Sequence, residues 1–240
     1  MTLPRLTVCL YTHMRHPDRL AYAKTALESI HFHGLRHYGG DVLLHIADDN
    51  SRPEMLAELQ DVVSMIGLNN TLSRGMGGGY GASHNAATQV IHQRSDIILA
   101  LEDDWELVRP LPLERLVRYF DNPDVRSIRL GYIGWTQELT GRVIKAVKGE
   151  ETCLLLDPDS PEPHVNAGHP RLETVEYQRD IGAWAEGMDA GAVEFAWCSL
   201  RAAREGVVWP MDLGMSASQG GEGSYFAHIG STQAREDQQA

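Results

Sequence analysis

Residues 97–106 read Ile97-Ile98-Leu99-Ala100-Leu101-Glu102-Asp103-Asp104-Trp105-Glu106. Five apolar residues are long enough for a buried strand, and three consecutive carboxylates follow at its mouth. Like charges packed there cost stability unless a cation compensates, which makes a divalent metal the natural partner. A solvated acidic turn capping a helix is the alternative. Working outward, residues 6–12 form a second apolar, β-prone run, and Leu20, Ala23, Leu27 and Ile30 then recur at helical spacing. A third buried strand is expected over 41–47. After it, Ser51 and Glu54 are spaced as a capping box for a helix burying Met55, Leu56, Leu59, Val62, Val63 and Ile66. A glycine-rich loop over 75–81 leads into a helix with Ala86, Ala87, Val90 and Ile91 inward. The pattern β-α-β-α-loop-α-β predicts an α/β fold, its sheet mostly parallel with helices on both faces.

Further along the periodicity loosens into an α+β pattern. A helix is expected over 113–120, short strands over 125–130, 142–147 and 152–156, and a plain loop over 158–170. A helix over 192–204 with Val193, Ala196, Trp197 and Leu200 inward, a strand near 207–208 and a last strand ending at His228 complete the chain.

The 240 residues suit one large domain, and 42% hydrophobic with 22% charged residues is the make-up of a globular chain. A formal charge of -12 repels a phosphate backbone. A nucleic-acid partner is therefore disfavoured, though not as an acceptor of a transferred group. The three cysteines, Cys9, Cys153 and Cys198, are far apart, so neither a disulfide framework nor a cysteine zinc site is expected. No apolar run approaches a membrane span, and Arg5, His13, Arg15 and His16 interrupt any signal sequence. A reducing, cytoplasmic setting follows.

In such sheets ligands bind beyond the carboxyl ends of the strands. The residues there are polar: Tyr11-Thr12-His13, Asp48-Asp49-Asn50 and Glu102-Asp103-Asp104. Together with Gly81-Ala82-Ser83-His84-Asn85 and His228-Ile229-Gly230-Ser231, in this order, they resemble the GT-A nucleotide-sugar glycosyltransferases, especially those like family 2. The resemblance runs from about Leu6 to Asp121 and resumes near Glu194 and at His228. It implies a Rossmann-like single domain over 1–240, with 1–121 as the nucleotide-sugar-binding half and 122–240 as the acceptor half. The implied activity is metal-assisted transfer from a nucleoside diphosphate sugar, UDP-type first, to a carbohydrate, protein or other hydroxyl-bearing acceptor, with inversion. Tyr11, Thr12, Asp49, Arg74, Asn85, Glu102 and Asp103 would then hold the donor, and Asp104 with His228 a manganese or magnesium ion. Relatives commonly carry a Glu-Asp pair near the start of the late helix; this chain offers Glu194 and Asp189 instead, and Glu194, expected in the helix's first turn, is preferred as the base.

The residues themselves fit this chemistry. An ionised Asp49 can accept the N3–H of uracil while a backbone N–H serves a carbonyl. Arg74 can meet a phosphate bidentately. Two other functions remain open. Gly77, Gly79 and Ala82 match a dinucleotide fingerprint with Glu102 beyond it, which would make an NAD(P)-dependent oxidoreductase, although residues 67–72 before it read as a poor strand. A nucleotide-sugar-binding module without catalysis is the other.

Overall fold

The computed structural model describes residues 2–131, 139–147, 151–162, 164–166, 168–210 and 224–230. The elements run β1 (Leu6–Thr12), α1 (Pro17–His33), β2 (Val42–Asp48), α2 (Pro53–Ile66), β3 (Asn70–Arg74), α3 (Gly79–Ile91), β4 (Ile97–Glu102) and β5 (Trp105–Leu107). There follow α4 (Leu113–Leu116), β6 (Ser127–Arg129), β7 (Gly141–Val147), β8 (Glu151–Leu156), β9 (Arg171–Thr174), α5 (Val175–Ile181), α6 (Ala190–Cys198), α7 (Arg201–Arg204), β10 (Val207–Trp209) and β11 (Phe226–His228). One mixed sheet has the order β3-β2-β1-β4-β9-β6-β10-β8-β7, and β5 pairs with β11 beside it. From β3 to β4 every pairing is parallel. Strand β9 runs antiparallel between β4 and β6, so both halves of the chain share one sheet.

Strand alternation divides the core. Leu6, Val8 and Leu10 face α1 and α2, packing with Leu27, Ile30, Leu59 and Val63. Cys9 and Tyr11 face the other way, toward Ala87 and Ile91 of α3 and Val175 of α5. Both sheet faces are therefore covered, as the near-continuous apolar strands require.

Several expectations need correction. Helix α2 starts at Pro53 with Arg52 as its N-cap and no side-chain cap, because the proline sets the first helical residue one position late for Ser51. The Ser51 hydroxyl instead accepts the Met14 N–H at 2.7 Å, tying β1 to β2. A strand does precede the glycine loop. Residues Asn70–Arg74 alternate between exposed and half-buried, the pattern of an edge strand whose pairing comes from β2. Helix α3 buries Ser83 and His84 as well as Ala87 and Ile91, while Val90 is only half-buried. The expected helix over 113–120 is one α-turn continued as a 3-10 turn to Asp121. The late helix is two, because Leu200 is extended between α6 and α7.

Fully buried His45 of β2 joins the edge strand to the sheet, its ring nitrogens 2.8 Å from Thr71 Oγ1 and 3.0 Å from Ser73 Oγ. Burial, with Arg94 adding, lowers its pKa to about 4. Above pH 6.5 the ring is neutral folded and unfolded, and contributes no pH dependence. As pH falls toward 4, the unfolded chain takes up a proton that the folded one refuses, so stability drops by up to about 3 kcal/mol. His45→Gln retains a polar bridge without titrating. Urea midpoints measured from pH 7 to 4 should fall less steeply in the variant; an identical acid limb would contradict the assignment.

Candidate active site

The strand order reverses direction between β1 and β4, and their carboxyl ends open the switch-point crevice where such sheets bind ligands. Asp103 and Asp104 form the turn after β4, and β5 then pairs with β11 so that His228 lies opposite Trp105. This register sets His228 Nε2 at 3.3 Å from Asp104 Oδ2. The Ile229 N–H donates to the Asp104 carbonyl at 2.9 Å. A Cβ on Gly230 would lie 2.6 Å from Asp104 Oδ2, which explains why glycine stands there. Ser231, the last residue of that motif, lies outside the described residues.

The cation that the acidic run demands is partly supplied by the chain. Buried Arg19, in the first turn of α1, donates through Nη1 to Asp104 Oδ2 at 2.7 Å and through Nη2 to Asp103 Oδ1. The His13 N–H also donates to Asp103, at 3.3 Å. Burial raises Asp103 to about 7 against the pull of Arg19. Burial, with repulsion from Asp104 and Glu194, raises Glu102 to about 8. Burial also acts upward on Asp104, but His228 and Arg19 outweigh it and hold this carboxyl below its usual range. Of the three carboxylates, Asp104 thus carries the firmest negative charge. Its Oδ1 is buried without a hydrogen-bond partner. The carboxylate oxygen without a partner suits manganese or magnesium, and of the two the neighbouring imidazole favours the softer manganese.

At the end of β2 the two aspartates diverge. Asp48 accepts from Thr12 Oγ1 at 3.1 Å and from the Ser51 N–H at 3.2 Å, and Arg74 Nε lies 3.6 Å away. Asp49 accepts the Gly79 N–H through Oδ2 at 2.9 Å, while its buried Oδ1 has no partner. The glycine loop closes over it: a Cβ on Gly75 would lie 2.8 Å from that oxygen. His13 Nδ1–H donates to the Asp49 carbonyl at 2.7 Å, joining the ends of β1 and β2. This loop follows the edge strand β3 rather than a strand at the switch point, which is where a dinucleotide fingerprint belongs.

Other expected donor residues are held elsewhere. Tyr11 is buried and stacks on His84 at 3.7 Å between centroids, beneath α3. Asn85 binds the backbone of Trp184 through both its amide oxygen (2.9 Å) and nitrogen (3.0 Å), and also Glu186 at 2.7 Å, which fixes the 184–186 segment. Arg74 donates to the Ser51 carbonyl at 3.1 Å. Trp184 and Trp197 stack on each other at 4.3 Å within the core.

Asp189 is the exposed N-cap of α6, accepting the Ala192 N–H at 3.0 Å. Glu194 lies in the second turn, not the first, so helix-end stabilisation does not account for it. Its Oε1 accepts the Gly168 N–H at 2.7 Å. A Cβ on Gly168 would meet both Glu194 Oε1 and the Tyr80 hydroxyl at 3.0 Å. Tyr80 in turn donates to Glu102 Oε1 at 2.9 Å. A continuous line of contacts thus links the acidic motif to α6.

No family model matches the chain, and no curated protein matches it in sequence. Solved structures do match. TarS 1-349 of S. aureus in complex with UDP-GlcNAc has a TM-score of 0.61 at 14% identity, over 96% of this chain and 62% of that one. GalNAc-T7 with UDP, GalNAc and Mn2+ gives 0.59 at 14%, over 87% and 42%. The mannosyltransferase PcManGT from Pyrobaculum calidifontis, in complex with GDP-Man and Mn2+, gives 0.54 at 14%, over 87% and 57%. The chain spans less than two-thirds of each of these neighbours. Among the described residues no helix is long and apolar enough to cross a membrane. The chain has the GT-A fold, the fold of these nucleotide-sugar glycosyltransferases.

Proposed function

We propose that the protein transfers a sugar from a UDP-type nucleoside diphosphate donor to a hydroxyl-bearing acceptor, with a divalent cation and inversion at the anomeric carbon. The observation that carries this is Asp104 at the switch point, flanked by His228 at 3.3 Å and with Oδ1 left without a hydrogen-bond partner. Asp104 and His228 would hold the cation, which when bound offsets the charge of the leaving diphosphate. Asp49 Oδ1 accepts the N3–H of the base. Asp103, supported by Arg19 and His13, and Glu102, held by Tyr80, line the crevice toward the ribose. Glu194 takes the proton of the acceptor hydroxyl.

Thermal scanning against a nucleotide panel tests the class of ligand. UDP with manganese should raise the melting temperature and NAD should not; the reverse would favour an oxidoreductase. Sugar release from a donor then separates a transferase from a binding module. Asp49→Ala removes the base contact, and calorimetry should show UDP affinity weaker by about 1.5–3 kcal/mol, the size of a hydrogen bond to a charged group. Unchanged affinity would remove Asp49 from the site.

A further inference from the structure

Among the described residues one group of three metal-ligating side chains converges outside the acidic motif: His164, Glu194 and Cys198, whose ligand atoms lie within 4.8 Å of one another. Glu194 and Cys198 are four residues apart on α6 and share a helix face. His164 comes from the loop before β9, and Arg129 Nη1 fixes that loop by donating to the His164 and Val165 carbonyls at 3.0 and 3.1 Å. We propose that these three residues form a second metal site, for a soft divalent cation of the zinc type.

The donor set is the first reason. Thiolate, imidazole and carboxylate together suit zinc, whereas the carboxylate oxygens at Asp104 suit magnesium or manganese. Three protein ligands also leave a fourth position open, as in zinc sites that exchange a ligand. Geometry is the second. Tetrahedral zinc with bonds of about 2.0–2.3 Å needs ligand atoms roughly 3.4 Å apart, so the triad must close by up to about 1.4 Å. His164 and Glu194 are half-buried, so the closing falls to them, while Cys198 is packed in the core. Chemistry is the third. The Cys198 thiol now donates to the Asn166 carbonyl. Coordination replaces that S–H by an S–metal bond and releases the proton to solvent. The consequence for catalysis rests on Glu194 being the base: a cation bound there ties up the carboxylate, so zinc inhibits.

Cobalt(II) replaces zinc and reports a thiolate ligand by a near-ultraviolet charge-transfer band. Titrated into the full chain, it should produce that band in the wild type and not in Cys198→Ser; Cys9 and Cys153 are buried in other parts of the core. His164→Ala should weaken cobalt binding by about tenfold or more, exceeding the least effect of losing an outer-shell partner. No band in the wild type, or one retained in Cys198→Ser, overturns the site. Where Cys198→Ser fails to fold by circular dichroism, unchanged cobalt affinity in His164→Ala overturns it instead. A band without inhibition by zinc of sugar transfer leaves the site standing and removes Glu194 from the reaction.

Discussion

Glu194→Gln is expected to lower turnover by about two to four orders of magnitude while donor affinity holds. An acceptor hydroxyl near its ordinary pKa is a poor nucleophile at neutral pH, so displacement at the anomeric carbon needs a base that takes its proton as the bond forms. That base must approach from the side opposite the diphosphate, which leaves out Asp103 and Asp104 if they serve donor and metal. Asp189 is spent on the Ala192 N–H at the start of α6. Glu194 is placed one turn further in, half-buried, and held by the Gly168 N–H with the Tyr80 hydroxyl beside it. Glutamine keeps the hydrogen bond from Gly168 and loses only the ability to accept a proton. Product configuration by NMR and single-turnover rates check both halves. Retention of configuration, or near-normal turnover in the variant, would exclude Glu194 as the base.

The fold was legible where burial is two-sided. The runs over 6–12, 41–47 and 97–101 are apolar, their pairing follows from the helices between them, and they form β1, β2 and β4 to within a residue at each end, with the crevice at their carboxyl ends. The edge strand Asn70–Arg74 was not legible, since its residues are polar and its order comes from β2 and from His45 reaching across to Thr71 and Ser73. Strand β9 and helix α5 were missed as well. Arg171 and Glu173 are charged residues in a central strand, a pattern that argues against burial unless they pair, and they do so at 3.2 Å, fully inside the sheet.

In the site, the acidic motif and His228 were readable from position, but their partners were not. The apolar spacing of α1 passes over Arg19, although a cation at the N-terminus of a helix opposes the helix dipole. That conflict is the signal of a partner elsewhere, and the partner lies 84 and 85 residues away. Tyr80 and Gly168 gave no such sign; the first read as part of a flexible glycine loop and the second as part of a plain one. Their roles depend on how α3 and α6 approach each other, which no local pattern encodes. Tyr11, by contrast, follows from strand alternation: with Cys9 it faces α3, not the crevice.

Asp104→Ala and His228→Ala should each abolish the enhancement of UDP binding by manganese. His228 lies in the β5–β11 ribbon with a third of its side chain exposed and its ring edge-on to Trp105 at 5.2 Å, so its removal takes away one ring contact and no buried charge. Asp104 is buried, and its loss frees one arm of Arg19, which keeps Asp103 as a partner. The two variants therefore disturb the protein differently and share only the loss of one side of the Asp104–His228 pair. A common effect on the manganese dependence of UDP binding, with metal-free UDP binding and circular dichroism retained, can come only from that pair. If Arg19 alone were the counter-charge for the diphosphate, His228→Ala would leave manganese enhancement intact, because Arg19 keeps both of its carboxylates in that variant. Calorimetry of UDP with and without manganese across wild type and both variants decides between the two: equal enhancement in all three places the metal elsewhere, and enhancement lost in Asp104→Ala alone assigns Asp104 without His228.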